Sequence, residues 1–116
     1  MQFSKEMIQI QKKLESWNWQ VFTPDFSEKA NTNTSKREYI NNHFFRIHKA
    51  DSILVVNIRK KNIQGYIGSN VLLEIGAAHI LGKMIYILND LGAQGCTEEV
   101  TALTSQNLSG DVTLLK

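Results

Sequence analysis

Apolar positions recur at helical spacing from Ser4 onward, at Met7, Ile10, Leu14 and Trp17, with Lys5, Glu6, Lys12, Lys13 and Glu15 on other faces. This spacing predicts a helix covering one side of a core, with Ser4 as its N-cap. The stretch "WQVFTP" is β-branched and aromatic and is stopped by Pro24, the only proline, so it predicts a short strand. Residues 27–37, "SEKANTNTSKR", are polar and predict a surface loop. The helical period returns from about Lys36 to Lys49 and places Ile40, Phe44 and Ile47 inward. "SILVVNI" is then apolar without alternation, the pattern of a strand buried on both faces. A basic loop, "RKKNIQGYIGS", leads into a third helix over about 70–81, closed by Gly82, and a strand "MIYIL" at 84–88. "TEEVTALTSQ" and "DVTLL" predict a short helix and a last strand.

Helix and strand alternate along the chain, which predicts an α/β fold with parallel strands, right-handed crossovers and helices on both faces of the sheet. Ligands of such folds sit beyond the carboxyl ends of the strands, where the loop after "SILVVNI" and the turn into the third helix both fall. With 116 residues, 42% of them hydrophobic, the chain has the size of one domain with one core. A net charge of +2 lacks the basic excess of a nucleic-acid-binding face, so no polymer partner is expected. Cys96 is the only cysteine, which excludes an intrachain disulfide. "MQFSKEMIQIQKK" lacks the apolar core of a signal peptide, and the longest apolar run, "NVLLEIGAAHIL", is too short for a membrane span. A cytoplasmic protein is the expectation.

Chemistry concentrates in "GYIGSNVLLEIGAAHILGK", residues 65–83, where an apolar helix carries the lone carboxylate Glu74 after a Gly/Ser/Asn turn. With Ser69 or Asn70 as cap, Gly68 and Ser69 would form a tight turn with backbone N–H groups free for an anion. The helix dipole favours a charged Glu74 while burial opposes it, and no basic residue of the same helix is placed to neutralise it. Spacing alone leaves two roles open for Glu74: a solvent-facing or capping residue near a helix start, or a carboxylate with a chemical task. Arg59, Lys60 and Lys61 on the ligand edge either attract a phosphate or form a solvated loop. Asn57, ending the buried strand, bonds either a sugar hydroxyl or the loop backbone. Lys83 either sits by the C-terminal dipole or joins a subunit contact. His79 lies on another face of the helix from Glu74, and His43 and His48 do not make a metal pair. No metal and no cofactor are expected.

The segment "HKADSILVVNIRKKNIQGYIGSNVLLEIGAAHILGKMIYIL" resembles the nucleoside 2-deoxyribosyltransferase-like family, whose pattern is an Asp opening a buried strand, a Gly-rich turn, Glu-[IL]-Gly-x-Ala and a Gly-Lys. "FSKEM" and "SGDVTLL" extend the resemblance over roughly residues 3–115. It implies a flavodoxin-like or Rossmann-like doubly wound sheet, here with the family's first strand missing. It also implies that Glu74 is the nucleophile attacking the anomeric carbon of a 2-deoxyribosyl group, with Asp51 as the acid assisting departure of the base. The place six residues before the Glu, an Asp in transferases working on free nucleosides, is Gly68 here. "GSN" instead resembles the branch that hydrolyses 2′-deoxynucleoside 5′-monophosphates, in which a serine and backbone amides hold the 5′-phosphate. Ser69, with Gly68 and Asn70, is the corresponding phosphate contact, unless Ser69 serves only as an N-cap.

Two functions follow as expectations: cleavage or transfer at the N-glycosidic bond of a deoxynucleoside or deoxynucleotide, or a nucleotide-binding module of the same fold without catalysis. The third helix is apolar around most of its circumference, and Gly76, Ala77 and Ala78 would let another backbone approach. A homodimer or larger homo-oligomer is therefore expected, its contact including the second and third helices with Tyr39, Phe44, Phe45 and His79 nearby.

Overall fold

The computed structural model describes residues 2–21 and 35–116. Among these, four helices and three strands form an α/β fold with an open parallel sheet, compatible with a Rossmann-like arrangement. The helices are α1 (Gln2–Ser16), α2 (Lys36–Lys49), α3 (Ser69–Ile80) and α4 (Thr97–Leu103). The strands are β1 (Ser52–Val55), β2 (Met84–Ile87) and β3 (Gln106–Asn107), in the order β1-β2-β3. The register runs from Ser52 opposite Met84 to Val55 opposite Ile87, and Tyr86 and Ile87 face Gln106 and Asn107.

Alternation along the strands sorts the core into two layers. Val55, Ile85 and Ile87 pack with Ile47 of α2, Ile75 and Ala78 of α3 and Val100 of α4. Leu54, Val56 and Tyr86 face the opposite way, onto Leu14 of α1, Leu88, Leu108, Val112 and Leu115. Helical cover on both faces is why "SILVVNI" reads as a continuous apolar run.

The helix ends have local causes. Ser35 caps α2 by accepting from the Glu38 N–H at 3.1 Å, the serine half of an S-x-x-E start, and Arg46, His48 and Lys49 occupy its last turn. At the end of α3 Gly82 adopts φ +72°, its N–H bonds the His79 carbonyl and the Lys83 N–H bonds the Ala78 carbonyl, so the helix closes on glycine as its position suggested.

Four expectations are corrected. Ser4 lies within α1 and does not cap it. Trp19–Val21 form no strand, and the rest of "WQVFTP" and residues 27–34 of the predicted loop lie outside the described residues. The last strand is Gln106–Asn107, which begins at the final residue of the segment expected to be helical and precedes "DVTLL". "DVTLL" instead makes a 3₁₀ turn, Val112–Leu115, capped by Asp111 accepting from the Thr113 N–H at 3.0 Å. Val112 and Leu115 are buried while Thr113 and Leu114 are exposed, a spacing of three that suits a helical turn better than a strand. Finally, α3 is capped by neither Ser69 nor Asn70: Gly68 is the N-cap, in extended conformation, and no side chain bonds the helix start.

Among the described residues no helix is long and apolar enough to cross a membrane.

Candidate functional site

The carboxyl ends of β1 and β2 are joined by paired amides. Asn57, 2% exposed, continues the β1–β2 offset beyond the ladder and faces Asn89. Its Nδ2 donates to the Asn89 carbonyl at 2.8 Å, its Oδ1 accepts from the Asn89 N–H at 2.9 Å, and the Asn89 Nδ2 donates to the Asn57 carbonyl at 2.9 Å. Gln94 extends the network: its Nε2 donates to the Gly65 carbonyl at 3.1 Å and its Oε1 accepts from the Ile67 N–H at 3.0 Å. Gly65 has φ +64°, and a Cβ there would lie 2.2 Å from the Asp90 carbonyl oxygen, so this crossing admits glycine alone. Together these contacts fix the loop that delivers the chain to Gly68 and α3.

From that turn α3 carries Glu74 to its partner. The Oε1 of Glu74 lies 3.0 Å from Nδ1 of His43, which α2 presents on its inward stripe between Ile40 and Ile47. His43 is buried and its ring packs on Tyr39 with centroids 4.4 Å apart. Burial pushes the Glu74 carboxyl up from its usual 4.5 to about 7, where both protonation states are populated near neutral pH. The imidazole N–H donating to Oε1 favours the charged carboxylate and opposes that push.

Glu74 and His43 open on a cavity of about 550 Å³ that runs along β1, between α1 on one side and α2 and α3 on the other. Gly68, Ser69, Asn70 and Asn57 line the same cavity. At its carboxyl-edge end α3 begins: Leu72 is the first residue of the helix to bond back, to the Gly68 carbonyl at 3.0 Å, so the N–H groups of Ser69, Asn70 and Val71 have no intrahelical acceptor.

Five of the six residues singled out from the sequence thus converge. Asp51 does not: it is exposed at the amino end of β1, the opposite edge of the sheet from Gly68–Asn70, and is no part of the lining. Of the two roles open to Asn57, the structure has the backbone one, with both ends of its amide engaged. Lys60 lines the cavity, Arg59 is exposed, and Lys61 reaches over the Tyr66 ring at 5.3 Å from its centroid. His79 is exposed on α3.

His43 is the functional residue that sequence reasoning missed. Considered as a metal ligand it had no role, yet its place on the Ile40–Ile47 stripe marked it as an inward-facing polar group in need of a partner. Asn89 and Gln94 carried no comparable signal. Among the described residues no group of three His, Cys, Asp or Glu side chains is placed to hold a metal ion. The arrangement offers a half-buried carboxylate sharing a proton with an imidazole, beside a helix start rich in unbonded amides: a nucleophile or base next to an anion-binding end. Comparison with protein-family models, with curated proteins and with solved structures gave no match to this chain.

Proposed function

We propose that the cavity binds a 2′-deoxynucleoside or 2′-deoxynucleotide and that Glu74 cleaves its N-glycosidic bond, as in the nucleoside 2-deoxyribosyltransferase-like family that the sequence resembles. The doubly wound fold of that family is part of the same reading. One observation carries it: the carboxylate at the position of the family nucleophile is half-buried, paired with His43 at 3.0 Å and open to a cavity beginning at the Gly68–Asn70 turn.

In this reading the 5′-phosphate lies at the start of α3, on the amides of Ser69 and Asn70 and the Ser69 hydroxyl, favoured by the helix dipole. A Glu74 oxygen forms a bond to the anomeric carbon as the carbon–nitrogen bond breaks, its electron pair leaving with the base. Since Asp51 stands outside the cavity and His43 bonds the nucleophile itself, the departing base takes its proton from a water on its own side of the sugar, leaving hydroxide there. That hydroxide attacks the anomeric carbon from the face the base has left, and the carboxylate is released. Hydrolysis of a deoxynucleotide is favoured over base exchange because Gly68 supplies no carboxylate to the sugar.

The test is incubation with a panel of deoxynucleosides and deoxynucleotides followed by chromatography for free base. Release by the wild type and none by Glu74→Gln is the expected result; no release from any member sinks the proposal. The exposure of Asp51 favours a second reading, binding without cleavage. Calorimetric binding of a deoxynucleotide with no product over days would select it.

A further inference from the structure

The stretch Gly65–Ile67 runs directly into the Gly68 cap of α3. Its middle residue, Tyr66, donates its N–H to the Ile58 carbonyl at 3.3 Å. The carbonyl before it, of Gly65, accepts from the Gln94 Nε2 at 3.1 Å, and the N–H after it, of Ile67, donates to the Gln94 Oε1 at 3.0 Å. One carboxamide, with a donor and an acceptor at fixed separation, thus does for this stretch what a residue of a neighbouring strand does in a parallel ladder. The Asn57 Nδ2 adds a longer contact to the same Gly65 carbonyl at 3.5 Å.

Gln94 is itself held in place. Its N–H donates to the Thr97 hydroxyl at 2.9 Å, that hydroxyl donates to the Gly92 carbonyl at 2.9 Å, and the Gly92 N–H donates to the Gln64 carbonyl at 2.6 Å. Thr97 opens α4, whose Val100 is fully buried, so the carboxamide is tied to the core through loop and helix. Gly68 caps α3 with no side-chain bond to the helix start, so the turn takes its position from the stretch before it and the helix after it. Glu74 depends on neither loop: it sits on the body of α3, whose Ile75 and Ala78 are fully buried, and meets His43 of α2. Gln94 is no part of the cavity lining.

From this clamp on Gly65 and Ile67 we infer, resting on the function proposed above, that Gln94 is a positioning residue: its carboxamide sets where the Gly68–Asn70 turn stands relative to Glu74, and so how tightly the substrate is held, without touching the bond that breaks. Binding and chemistry are then under separate control. Loss of the carboxamide moves the turn and leaves Glu74 and His43 in place, which raises KM and spares kcat. A loss of stability alone does the reverse, since fewer folded molecules lower the apparent kcat at unchanged KM.

The test compares the whole chain with Gln94→Ala, with Gln94→Met, which keeps the length of the side chain but not its bonds, and with Val112→Ala, which weakens the core far from the cavity. The substrate is the deoxynucleotide that the wild type cleaves fastest, or, if it binds without cleavage, the one it binds most tightly, with Kd read in place of KM. Both Gln94 variants should raise KM by ~10-fold, with kcat within about twofold of wild type and its pH midpoint unmoved. In NMR spectra their Ser69, Asn70 and Val71 amide signals should shift while those of Ile75 and Ala78 stay. Val112→Ala should melt lower at unchanged KM. A wild-type KM in Gln94→Met, a fall in kcat at constant KM, an equal rise of KM in Val112→Ala, or failure of both Gln94 variants to fold would each overturn the inference. A wild type that neither cleaves nor binds any deoxynucleotide removes the proposed function and this inference together, whereas an active wild type with KM unchanged in the Gln94 variants removes this inference alone.

Discussion

At residue scale the chemistry turns on Glu74. Its carboxyl titrates at about 7 in the folded chain against 4.5 in the unfolded one. Between those values the folded state holds a proton that the unfolded state has lost, so stability falls as pH rises through the window and the full penalty is present above pH 7. The difference corresponds to at most about 3 kcal/mol. Glu74→Gln removes the ionisation, so the variant should melt higher than wild type at pH 8 and nearly level with it at pH 5, read by thermal denaturation. Turnover by a carboxylate nucleophile runs the other way, rising with pH through about 7. A variant that gains stability at pH 8 while losing all activity would show that the chain retains a costly charge for its chemistry. His43→Ala should do the opposite to stability, leaving the carboxylate without its imidazole donor at a cost of ~1–3 kcal/mol.

At the scale of elements, what the sequence disclosed depended on whether a signal lay within one element. α2 was legible because its apolar positions repeat at helical spacing, and α3 because a long apolar run is bounded by the Gly/Ser/Asn turn and by Gly82. β1 and β2 were legible as short apolar runs. The 106–107 strand was not, since both its residues are exposed and polar and its existence rests on pairing with Tyr86 and Ile87. In the site, Glu74 and the Gly68–Asn70 turn sit on one local stretch and could be found together. The link to His43 joins two helices, and the Asn57–Asn89 link joins two loops, so neither is encoded in spacing. The latter link is open to a direct check. Asn57→Ala would leave the Asn89 N–H and C=O short of partners in a part-buried place, and the loss should be ~2–4 kcal/mol in urea denaturation.

At the scale of the whole molecule, the outer side of the α2–α3 layer is unusually apolar. Phe45, Leu73 and Ile80 are 58%, 48% and 83% exposed, and a Cβ at Gly76 would meet nothing within 4 Å. A surface of this kind is where a second copy of the chain is expected to dock, with Phe45 closer to the contact than the half-buried Phe44. Light scattering at micromolar concentration should give about twice the 13.2 kDa monomer mass, falling toward the monomer in Ile80→Lys. A monomer at all concentrations would remove the dimer from the account.

The Asn57–Asn89 pair also bears on how the chain finds its native alignment. β1 and β2 share only four paired positions, most of their residues apolar, and such a short ladder discriminates weakly between neighbouring alignments. A slip by one residue would turn Asn57 away from Asn89 and toward one of the apolar layers, stranding amide groups that the native offset satisfies reciprocally. Correct threading of the two strands is thus rewarded at their ends by a polar match that no shifted alignment reproduces, so the sheet's accuracy depends less on its length than on one pair of asparagines.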